Sequence, residues 1–337
     1  MGKYITSLIL TITFSLFLFF YFLGCNNKSI SPAEIIETAT AIANNPDLFT
    51  CIWAQKTASG GYGANTAGYA VEFNGKMWVI GGYNGSTLND VYNSTDGLVW
   101  NLETSNPGFG ERFDQVCLVY DNKIWVIGGK KLETSTQYKD VWWTDTGTTW
   151  YCATTNTAIG LRYGHAGVVY NGKMWISGGH EDGAGKFYND VWWSTDGVDW
   201  HVATGNAAFT GRDSHTMISF GGKMWVIGGN SASGRLNDVW WSTDGATWNL
   251  ATANANFAAR HNHQSVVYNN MMWVIAGDAN GLKSDVWYSL DGANWVKCAE
   301  VAGFSNRSNF MATVYDNKIW VLGGWTGSYE DDVWYLQ

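Results

Sequence analysis

Residues 171–200 read NGKMWISGGHEDGAGKFYNDVWWSTDGVDW, and this stretch contains the pattern that decides the fold. The pattern is a two-residue turn, an apolar run with one Trp, Gly-Gly, a variable loop, Asp-Val-Trp-Trp, Ser-Thr-Asp-Gly and a closing Trp. It recurs along most of the chain at spacings of 47, 50, 50, 48 and 47 residues. The markers of this period are Gly81-Gly82, Gly128-Gly129, Gly178-Gly179, Gly228-Gly229, the variant Ala276-Gly277, and Gly323-Gly324. A fixed period predicts one closed repeat array instead of two unrelated domains.

The composition indicates an all-β chain that does not bind nucleic acid. Among 337 residues, Gly (40) and Trp (21) are abundant and Pro (3) is scarce, which is typical of many short strands joined by glycine turns. The formal net charge of −9 argues against a nucleic-acid partner, because such a partner requires a basic surface. The chain also contains no lysine-rich run of the kind that binds anionic lipid.

The first 25 residues predict a targeting segment, because Lys3 is followed by the uncharged, apolar residues 4–24. Phe22-Leu23-Gly24-Cys25 resembles the lipobox of bacterial lipoproteins, which implies acylation of Cys25 and a membrane-anchored protein of the cell envelope. The alternatives are a cleaved signal, giving a periplasmic or secreted protein, and an uncleaved anchor, since the apolar run is long enough to cross a bilayer. We interpret residues 26–48 as a polar tether and residues 49–337 as the folded domain.

The repeat begins and ends out of phase. The sequence Trp53-Ala-Gln-Lys-Thr matches the end of a unit, and the C-terminal residues 332–337 stop just before that element. A strand at Trp53 therefore completes the last unit and closes the ring, which removes the free sheet edges. Six units of four antiparallel strands predict a six-bladed β-propeller.

The third unit shows how each blade is built. Its predicted strands are residues 163–170, 173–179, 190–194 and 200–204, and Asn171-Gly172 is a strong hairpin signal between the first two. Equivalent turns in the other units are Asn74-Gly75, Asp121-Asn122, Gly221-Gly222, Asn269-Asn270 and Asp316-Asn317.

These features resemble the kelch repeat: Gly-Gly at the end of the second strand, aromatic residues downstream, and an Arg ahead of the first strand. The resemblance covers residues 49–337 and implies a propeller that presents a binding surface. The segments Ser194–Trp200 and Asp145–Trp150 also resemble the Asp-box turn of sialidase-type propellers. The first of them lacks one residue of that motif, so we interpret the likeness as a turn and not as sialidase chemistry.

Twenty of the 21 tryptophans recur at fixed positions of the second, third and fourth strands, which predicts packing between blades. Trp325 is the exception. It directly follows the last Gly-Gly, where the other units have Tyr83, Lys130, His180, Asn230 and Asp278. A position that varies in this way is a candidate for ligand contact. The candidate contact residues at this position are Tyr83, His180, Asp278 and Trp325.

The loops after Gly-Gly and the segments entering the first strands emerge on one face, which we call the Gly-Gly face. Its loops are long and varied, whereas the turns of the opposite face are short and uniform, so we expect the ligand on the Gly-Gly face. An Arg precedes the first strand in five units and could bind a carboxylate or phosphate there. The alternative is that each Arg bonds loop carbonyls and ties one blade to the next. These arginines are Arg112, Arg162, Arg212, Arg260 and Arg307.

Three other recurring groups favour structural roles. His165, His215 and His263 occupy one register but come from separate blades and lack an accompanying carboxylate, so we expect hydrogen bonding and no metal. An Asp starts every third strand and is interpreted as a turn cap. Cys51 and Cys298 could lie on neighbouring outer strands, but the sequence leaves the pairing of Cys51, Cys117, Cys152 and Cys298 open.

The sequence therefore predicts an exported, lipid-anchored, monomeric binding module without cofactor, whose ligand is a protein or a glycan. The alternative is a sugar-acid-processing enzyme resembling exported kelch-type sialic-acid epimerases, with the arginines holding the acid. No nucleophile–base pair stands out, and no Tyr–Cys–His set typical of galactose-oxidase-like copper chemistry can be mapped. A purely structural envelope protein is a third possibility.

Overall fold

The computed structural model describes residues 51–337. The predicted targeting segment with Cys25, and the predicted tether at residues 26–48, lie outside the described residues. Within residues 51–337 no helix has the length and apolar character needed to cross a bilayer.

The strands of the described chain are all short, with none longer than nine residues. In chain order they are β1 (Trp53–Thr57), β2 (Tyr69–Phe73), β3 (Lys76–Tyr83), β4 (Thr87–Ser94), β5 (Asn101–Thr104), β6 (Val116–Tyr120), β7 (Lys123–Ile127), β8 (Lys130–Lys131), β9 (Thr136–Gln137), β10 (Val141–Thr144), β11 (Tyr151–Thr154), β12 (Ala166–Tyr170), β13 (Lys173–Ser177), β14 (His180–Glu181), β15 (Lys186–Phe187), β16 (Val191–Ser194), β17 (His201–Thr204), β18 (Thr216–Phe220), β19 (Lys223–Ser231), β20 (Gly234–Ser242), β21 (Asn249–Thr252), β22 (Gln264–Tyr268), β23 (Met271–Asp278), β24 (Leu282–Ser289), β25 (Val296–Ala299), β26 (Met311–Tyr315), β27 (Lys318–Trp325) and β28 (Tyr329–Leu336).

These strands form six antiparallel, four-stranded blades, which confirms the predicted six-bladed propeller. Blades 1 to 6 are β2-β3-β4-β5, β6-β7-β10-β11, β12-β13-β16-β17, β18-β19-β20-β21, β22-β23-β24-β25 and β26-β27-β28-β1. The first strand of each blade packs against the first strands of its two neighbours, so these six strands surround a central channel. Blades 2 and 3 each carry an additional hairpin on the Gly-Gly face, β8-β9 and β14-β15, whose strands are two residues long.

The chain closes the ring as predicted. Strand β1 pairs antiparallel with β28, with Trp53 opposite Leu336. A disulfide between Cys51 and Cys298, with Cα atoms 5.7 Å apart, joins the start of β1 in blade 6 to β25 in blade 5. This bond settles the pairing that the sequence left open, since Cys117 and Cys152 are free thiols.

The six predicted two-residue turns join the first and second strands of their blades. Their central residues have positive φ, for example 48° at Asn171 and 68° at Gly172. This is the geometry of a type I′ hairpin, whose twist matches that of the flanking strands and which favours Asn, Asp and Gly.

The strands of blade 3 are shorter than predicted at the Gly-Gly face. Strand β12 begins at Ala166 instead of residue 163, because Gly164 has a φ of 61° and interrupts the extended backbone. Strand β13 likewise ends at Ser177, before the two glycines, which both have positive φ.

The hydrophobic core lies between blades, as six clusters that each combine residues of two neighbours. The second-strand tryptophans are at most 4% exposed, which confirms that they pack. The ring of Trp175 fills the space beside Gly245 of the next blade, where a Cβ would lie 2.1 Å from the indole. Its Nε1 donates to the carbonyl oxygen of Tyr170 (3.0 Å).

The Ser-Thr-Asp-Gly segments are self-contained turns on the face opposite the Gly-Gly face. Oδ1 of Asp196 accepts hydrogen bonds from the backbone N–H groups of Val198 (2.8 Å) and Asp199 (2.9 Å). The Ser194 hydroxyl accepts from the N–H of Gly197 (2.9 Å). The Asp side chains thus satisfy local backbone donors, which agrees with the interpretation of the Asp-box likeness as a turn.

Candidate functional site

The five predicted ligand-binding arginines lie inside the blades. In blade 4, Nη1 of Arg212 donates to the carbonyl oxygen of Gly228 (2.9 Å) and to Oδ1 of Asp238 (2.7 Å), and Nη2 donates to Oδ2 (2.9 Å). Nε donates to the carbonyl of Thr210 (3.0 Å), and Nε1 of Trp240 donates to the same carboxylate (2.7 Å). The equivalent ion pairs are Arg112–Asp140, Arg162–Asp190, Arg212–Asp238, Arg260–Asp285 and Arg307–Asp332.

This placement corrects the prediction of an arginine-lined anion site. The five side chains are at most 1% exposed, so a ligand on the Gly-Gly face does not reach them. Each guanidinium fastens the loop before its blade's first strand to the Gly-Gly corner of the same blade. The link between blades is made by the backbone instead, since the carbonyl oxygen of Arg212 accepts from the N–H of Gly179 (2.8 Å).

Blade 1 is the exception, with Asn65 in place of the Arg. Nδ2 of Asn65 donates to the carbonyl oxygen of Gly81 (2.8 Å) and so replaces only one of the arginine's contacts. Among the described residues, no guanidinium lies beside Asp90, the counterpart of Asp238, and burial raises the pKa of Asp90. In blade 5, burial would also raise the pKa of Asp285, but hydrogen bonds and charge from Arg260 outweigh it and the pKa is lowered.

Two of the three recurring histidines, His215 and His263, connect neighbouring blades beside the channel. Nε2 of His215 hydrogen-bonds Oγ of Ser177 in the preceding blade (2.9 Å), and Nε2 of His263 hydrogen-bonds Oγ1 of Thr216 (3.2 Å). Burial, followed by the charge of Arg260, lowers the pKa of His263 to about 3, so its imidazole is neutral. Within residues 51–337, no group of three or more His, Cys, Asp or Glu side chains is arranged to hold a metal ion.

A closed ring of backbone hydrogen bonds forms the mouth of the channel on the Gly-Gly face. Its members stand two positions after each Arg (or Asn65) and all have φ near 50–60°. Each N–H donates to the carbonyl oxygen of the corresponding residue in the preceding blade, at 2.7–3.1 Å, and the bond from Ala67 to Asn309 closes the ring. The members of this mouth ring are Ala67, Asp114, Gly164, Ser214, Asn262 and Asn309. Because their backbone groups are paired, only side chains are available to a ligand there.

A second ring surrounds the mouth and contains the four candidate contact residues. In every blade the residue after the Arg (or Asn65) forms an antiparallel bridge with the residue after Gly-Gly (or Ala276-Gly277). The pairs are Thr66–Tyr83, Phe113–Lys130, Tyr163–His180, Asp213–Asn230, His261–Asp278 and Ser308–Trp325. Tyr83, His180, Asp278 and Trp325 are all half-buried and face this rim from blades 1, 3, 5 and 6.

A recess of about 250 Å³ opens inside this second ring. Tyr83 lines it, whereas His180, Asp278 and Trp325 lie outside its walls. Its lining also includes Phe113, Asp114, Leu132, Asp213 and His261. Below it, a channel cavity of about 100 Å³ is lined by Gln115 and the three recurring histidines, and Asp114 lines both cavities.

Four aromatic rings form one wall of the mouth, which we call the aromatic arc. The ring centroids of Phe113 and Tyr83 are 6.0 Å apart, and those of Tyr83 and Tyr329 are 5.7 Å apart. Tyr329 in turn lies 4.9 Å from Trp325. The arc therefore runs without interruption from blade 2 through blade 1 to blade 6.

Two charged groups on the opposite side are already paired. Asp182 accepts hydrogen bonds from Nζ of Lys130 (2.5 Å) and from the hydroxyl of Tyr163 (2.9 Å). Asp278 accepts from Nη2 of Arg235 (3.0 Å). Burial would raise the pKa of Asp278, but the N–H of Gly281 and Arg235 outweigh it and the pKa is lowered.

Asp114 and Asp213 differ because no cation pairs with them. Within the described chain, the Asp114 carboxylate has no hydrogen bond or ion pair. Oδ1 of Asp213 has no hydrogen-bond partner, although the Asp213 side chain also accepts hydrogen bonds from Asn230 and Ser214. Burial, with the charge of Asp213 second, raises the pKa of Asp114 to about 7, although Lys130 opposes the shift. Burial also raises the pKa of Asp213 to about 6, against the charge of His180.

Sequence reasoning missed these two carboxylates. Asp213 stands one position after Arg212, and Asp114 stands two positions after Arg112. No other blade has an Asp at either of these positions. The available signal was the register itself. The position two after the Arg contains Asp, Gly, Ser, Asn and Asn, residue types that accept positive φ, and so marks a turn at the mouth.

The ring of six four-stranded blades, with a glycine corner after each second strand and buried Arg–Asp pairs, defines a propeller repeat protein. A family model described as the KLHDC2/KLHL20/DRC7 Kelch-repeats domain matches residues 66–201 and 193–324, and the chain belongs to this kelch-repeat family. A search of curated proteins found no match. The kelch propeller is a module typically used for binding.

Proposed function

We propose that this propeller is a binding module whose recess on the Gly-Gly face receives one projecting group of a macromolecular ligand, a protein or a glycan. The observation that carries the proposal is the recess lined by Tyr83 and Phe113 of the aromatic arc and by Asp114 and Asp213, with which no cation is paired. Pockets for complete small molecules usually measure roughly 300–1,000 Å³. At about 250 Å³, the recess suits a single side chain or sugar ring.

The rim around the recess supplies further surface for such a ligand. The β8-β9 hairpin of blade 2 projects beside the recess, and Leu132 in its turn is 44% exposed. Glu133 accepts hydrogen bonds from the N–H and the hydroxyl of Thr87 in blade 1, both at 2.6 Å. The hairpin is therefore held in place before a ligand arrives, which reduces the entropy lost on binding.

The sugar-acid-processing alternative has less support. It depended on arginines at the mouth, and these are buried in ion pairs. The recess presents the carboxylates of Asp114 and Asp213 instead, and these oppose an acidic ligand.

Replacing Trp325 with Ala tests the proposed binding face. We expect ligand binding to weaken several-fold, because Trp325 forms one end of the aromatic arc. The melting temperature should change little, because its backbone bonds to Ser308 (2.8 and 3.1 Å) are retained. The measurement is binding of the full-length protein to glycan and peptide arrays, with thermal unfolding in parallel.

The control for this test is Trp143→Ala, because Trp143 is also half-buried but lies in the third strand of blade 2. Equal binding losses in the two variants would contradict the proposal. A large thermal loss for Trp325→Ala would assign that residue to packing instead.

We further propose that the protein is exported and anchored through a lipid on Cys25. The Cys51–Cys298 disulfide supports export, because such bonds persist in oxidising compartments. Mass spectrometry of the membrane fraction is expected to find an N-terminal acylated cysteine, which Cys25→Ser abolishes. An unprocessed N-terminal Met in the membrane-bound protein would contradict lipidation and favour an uncleaved anchor.

A further inference from the structure

We propose that the recess selects a cationic group, the lysine or arginine side chain of a protein ligand. The charged end sits at Asp114 and Asp213, and the aliphatic stem lies against Tyr83 and Phe113. This inference rests on the proposed function and specifies the ligand of the same recess.

The order of groups with depth supports a long side chain with a charged tip. Tyr83 and Phe113 line the recess but not the channel cavity beneath it, whereas Asp114 lines both. A ligand group entering from the Gly-Gly face therefore passes these rings and Asp213, which lines only the recess, before it reaches Asp114. Lysine and arginine match this order, because an aliphatic stem carries the charge at its end.

The pairing of charges around the mouth indicates the charge of the ligand group that would bind in the recess. Asp182 and Asp278 are neutralised by Lys130 and Arg235. Asp114 and Asp213 are close enough to influence each other, and no cation of the described chain pairs with either. Two poorly solvated carboxylates that line one recess are stabilised when they are protonated or joined by a cation.

Unpaired polar atoms continue below the mouth ring, which provides a second, independent observation. His215 and His263 are 5% and 2% exposed, and both line the channel cavity that Asp114 also lines. Their Nδ1 atoms have no hydrogen-bond partner within residues 51–337. Buried polar groups are normally paired, so these nitrogens indicate that the cavity holds polar atoms from outside the protein chain.

The backbone of the mouth ring does not offer a binding site for an anionic ligand group. The six N–H groups of the mouth ring, which would form an anion-binding nest if free, donate to one another. The five recurring arginines are buried in their own ion pairs. An acidic side chain would therefore meet carboxylates and paired donors.

The test compares host peptides of glycine and serine that differ only in one central guest residue: lysine, arginine, norleucine or glutamate. An oligomer of glucosamine serves as a further probe. Calorimetry with the full-length protein is expected to show that the lysine and arginine peptides bind about ten-fold or more tightly than the other two peptides. The Asp114→Asn, Asp213→Asn double variant should lose this preference. Asp199→Asn, an exposed carboxylate on the opposite face, should keep it.

The pH dependence of peptide affinity is a further measurement, which would not change if Asp114 and Asp213 had only a structural role. Since the pKa values of Asp114 and Asp213 are raised to about 7 and about 6, affinity for the lysine peptide should fall as the pH is lowered from 8 to 5.5. The other titratable groups facing these carboxylates are Lys130, Tyr163, His180 and His261. The double variant should show no such decrease.

Thermal unfolding at pH 8 shows whether the double variant remains folded. A carboxyl with a raised folded-state pKa binds its proton more tightly in the folded state, so stability is lost as the pH rises through that pKa. The neutral amides remove this loss, and the double variant should melt at or above the temperature of the wild type at pH 8. If it melts lower, the Asp213→Asn single variant takes its place in the binding test.

The outcomes separate the inference from the proposed function. Equal or tighter binding of the glutamate or norleucine peptide at the recess would overturn the cationic preference while the binding module stands. Binding of the glucosamine oligomer, whose amino groups are cationic, without any peptide preference would overturn the assignment of a lysine or arginine side chain and assign an amino sugar to the recess. If the lysine peptide does not bind and Trp325→Ala changes binding to no arrayed ligand, both proposals fail.

Discussion

Replacing Arg212 with Met is expected to lower the free energy of unfolding by about 3–5 kcal/mol. The substitution retains an unbranched apolar side chain but removes the four hydrogen bonds that the guanidinium makes to Asp238, Gly228 and Thr210. The carboxylate of Asp238 would keep Trp240 but lose its cation while remaining largely buried. An unpaired buried charge is among the most destabilising single changes.

The matched control is Arg235→Met, which breaks the pair with Asp278 on the rim of the mouth. There the arginine side chain is 29% exposed, and we expect a loss of about 1 kcal/mol or less. Equilibrium urea unfolding of both variants gives the comparison. If the two variants lose similar amounts of unfolding free energy, the buried Arg–Asp pairs do not make the large contribution to blade stability that we assign to them.

Removing the disulfide with Cys51→Ser and Cys298→Ser is expected to cost about 3–5 kcal/mol. The bond links residues 247 positions apart, so it restricts nearly the whole unfolded domain. It also holds the start of β1 against blade 5, where the ring is closed by a strand from the other end of the chain. Loss of the bond therefore weakens the one junction at which blade 6 depends on a distant segment.

The disulfide prediction is checked by the urea midpoint of the double variant and of the wild type with and without reductant. Cys152→Ser is the control, because Cys152 is an exposed free thiol and its replacement should leave the midpoint unchanged. A wild-type midpoint that does not respond to reductant would show that β1 is held by its pairing with β28 alone.

The architecture could be predicted because each of its parts occurs six times in register. The turn residues, the packing tryptophans and the glycine corners each satisfy one local requirement, and six copies rule out coincidence. The closure by β1 was predictable for the same reason, since the segment from Trp53 fits the strand position that the C-terminus leaves empty.

The site was less predictable. Residues that recur in every blade indicate structure, whereas the residues that could bind a ligand are those that differ between blades. The arginines repeat in five blades, and the sequence did not show whether they face the mouth or their own blade. Each of these arginines forms a buried ion pair with the Asp that starts the third strand of its own blade, as Arg212 and Asp238 show. Asp114 and Asp213 have no counterparts in other blades, so only the folded ring brings them together.

The direction of β1 determines on which face of the propeller the described chain begins. Because Trp53 pairs with Leu336, and Tyr329 at the other end of β28 pairs with Trp325, the chain enters β1 on the face opposite the mouth. The C-terminus lies at the same place, since the N–H of Gln337 donates to the carbonyl oxygen of Ile52 (2.9 Å). The described chain therefore enters and leaves the propeller on one face, and the recess opens on the other face.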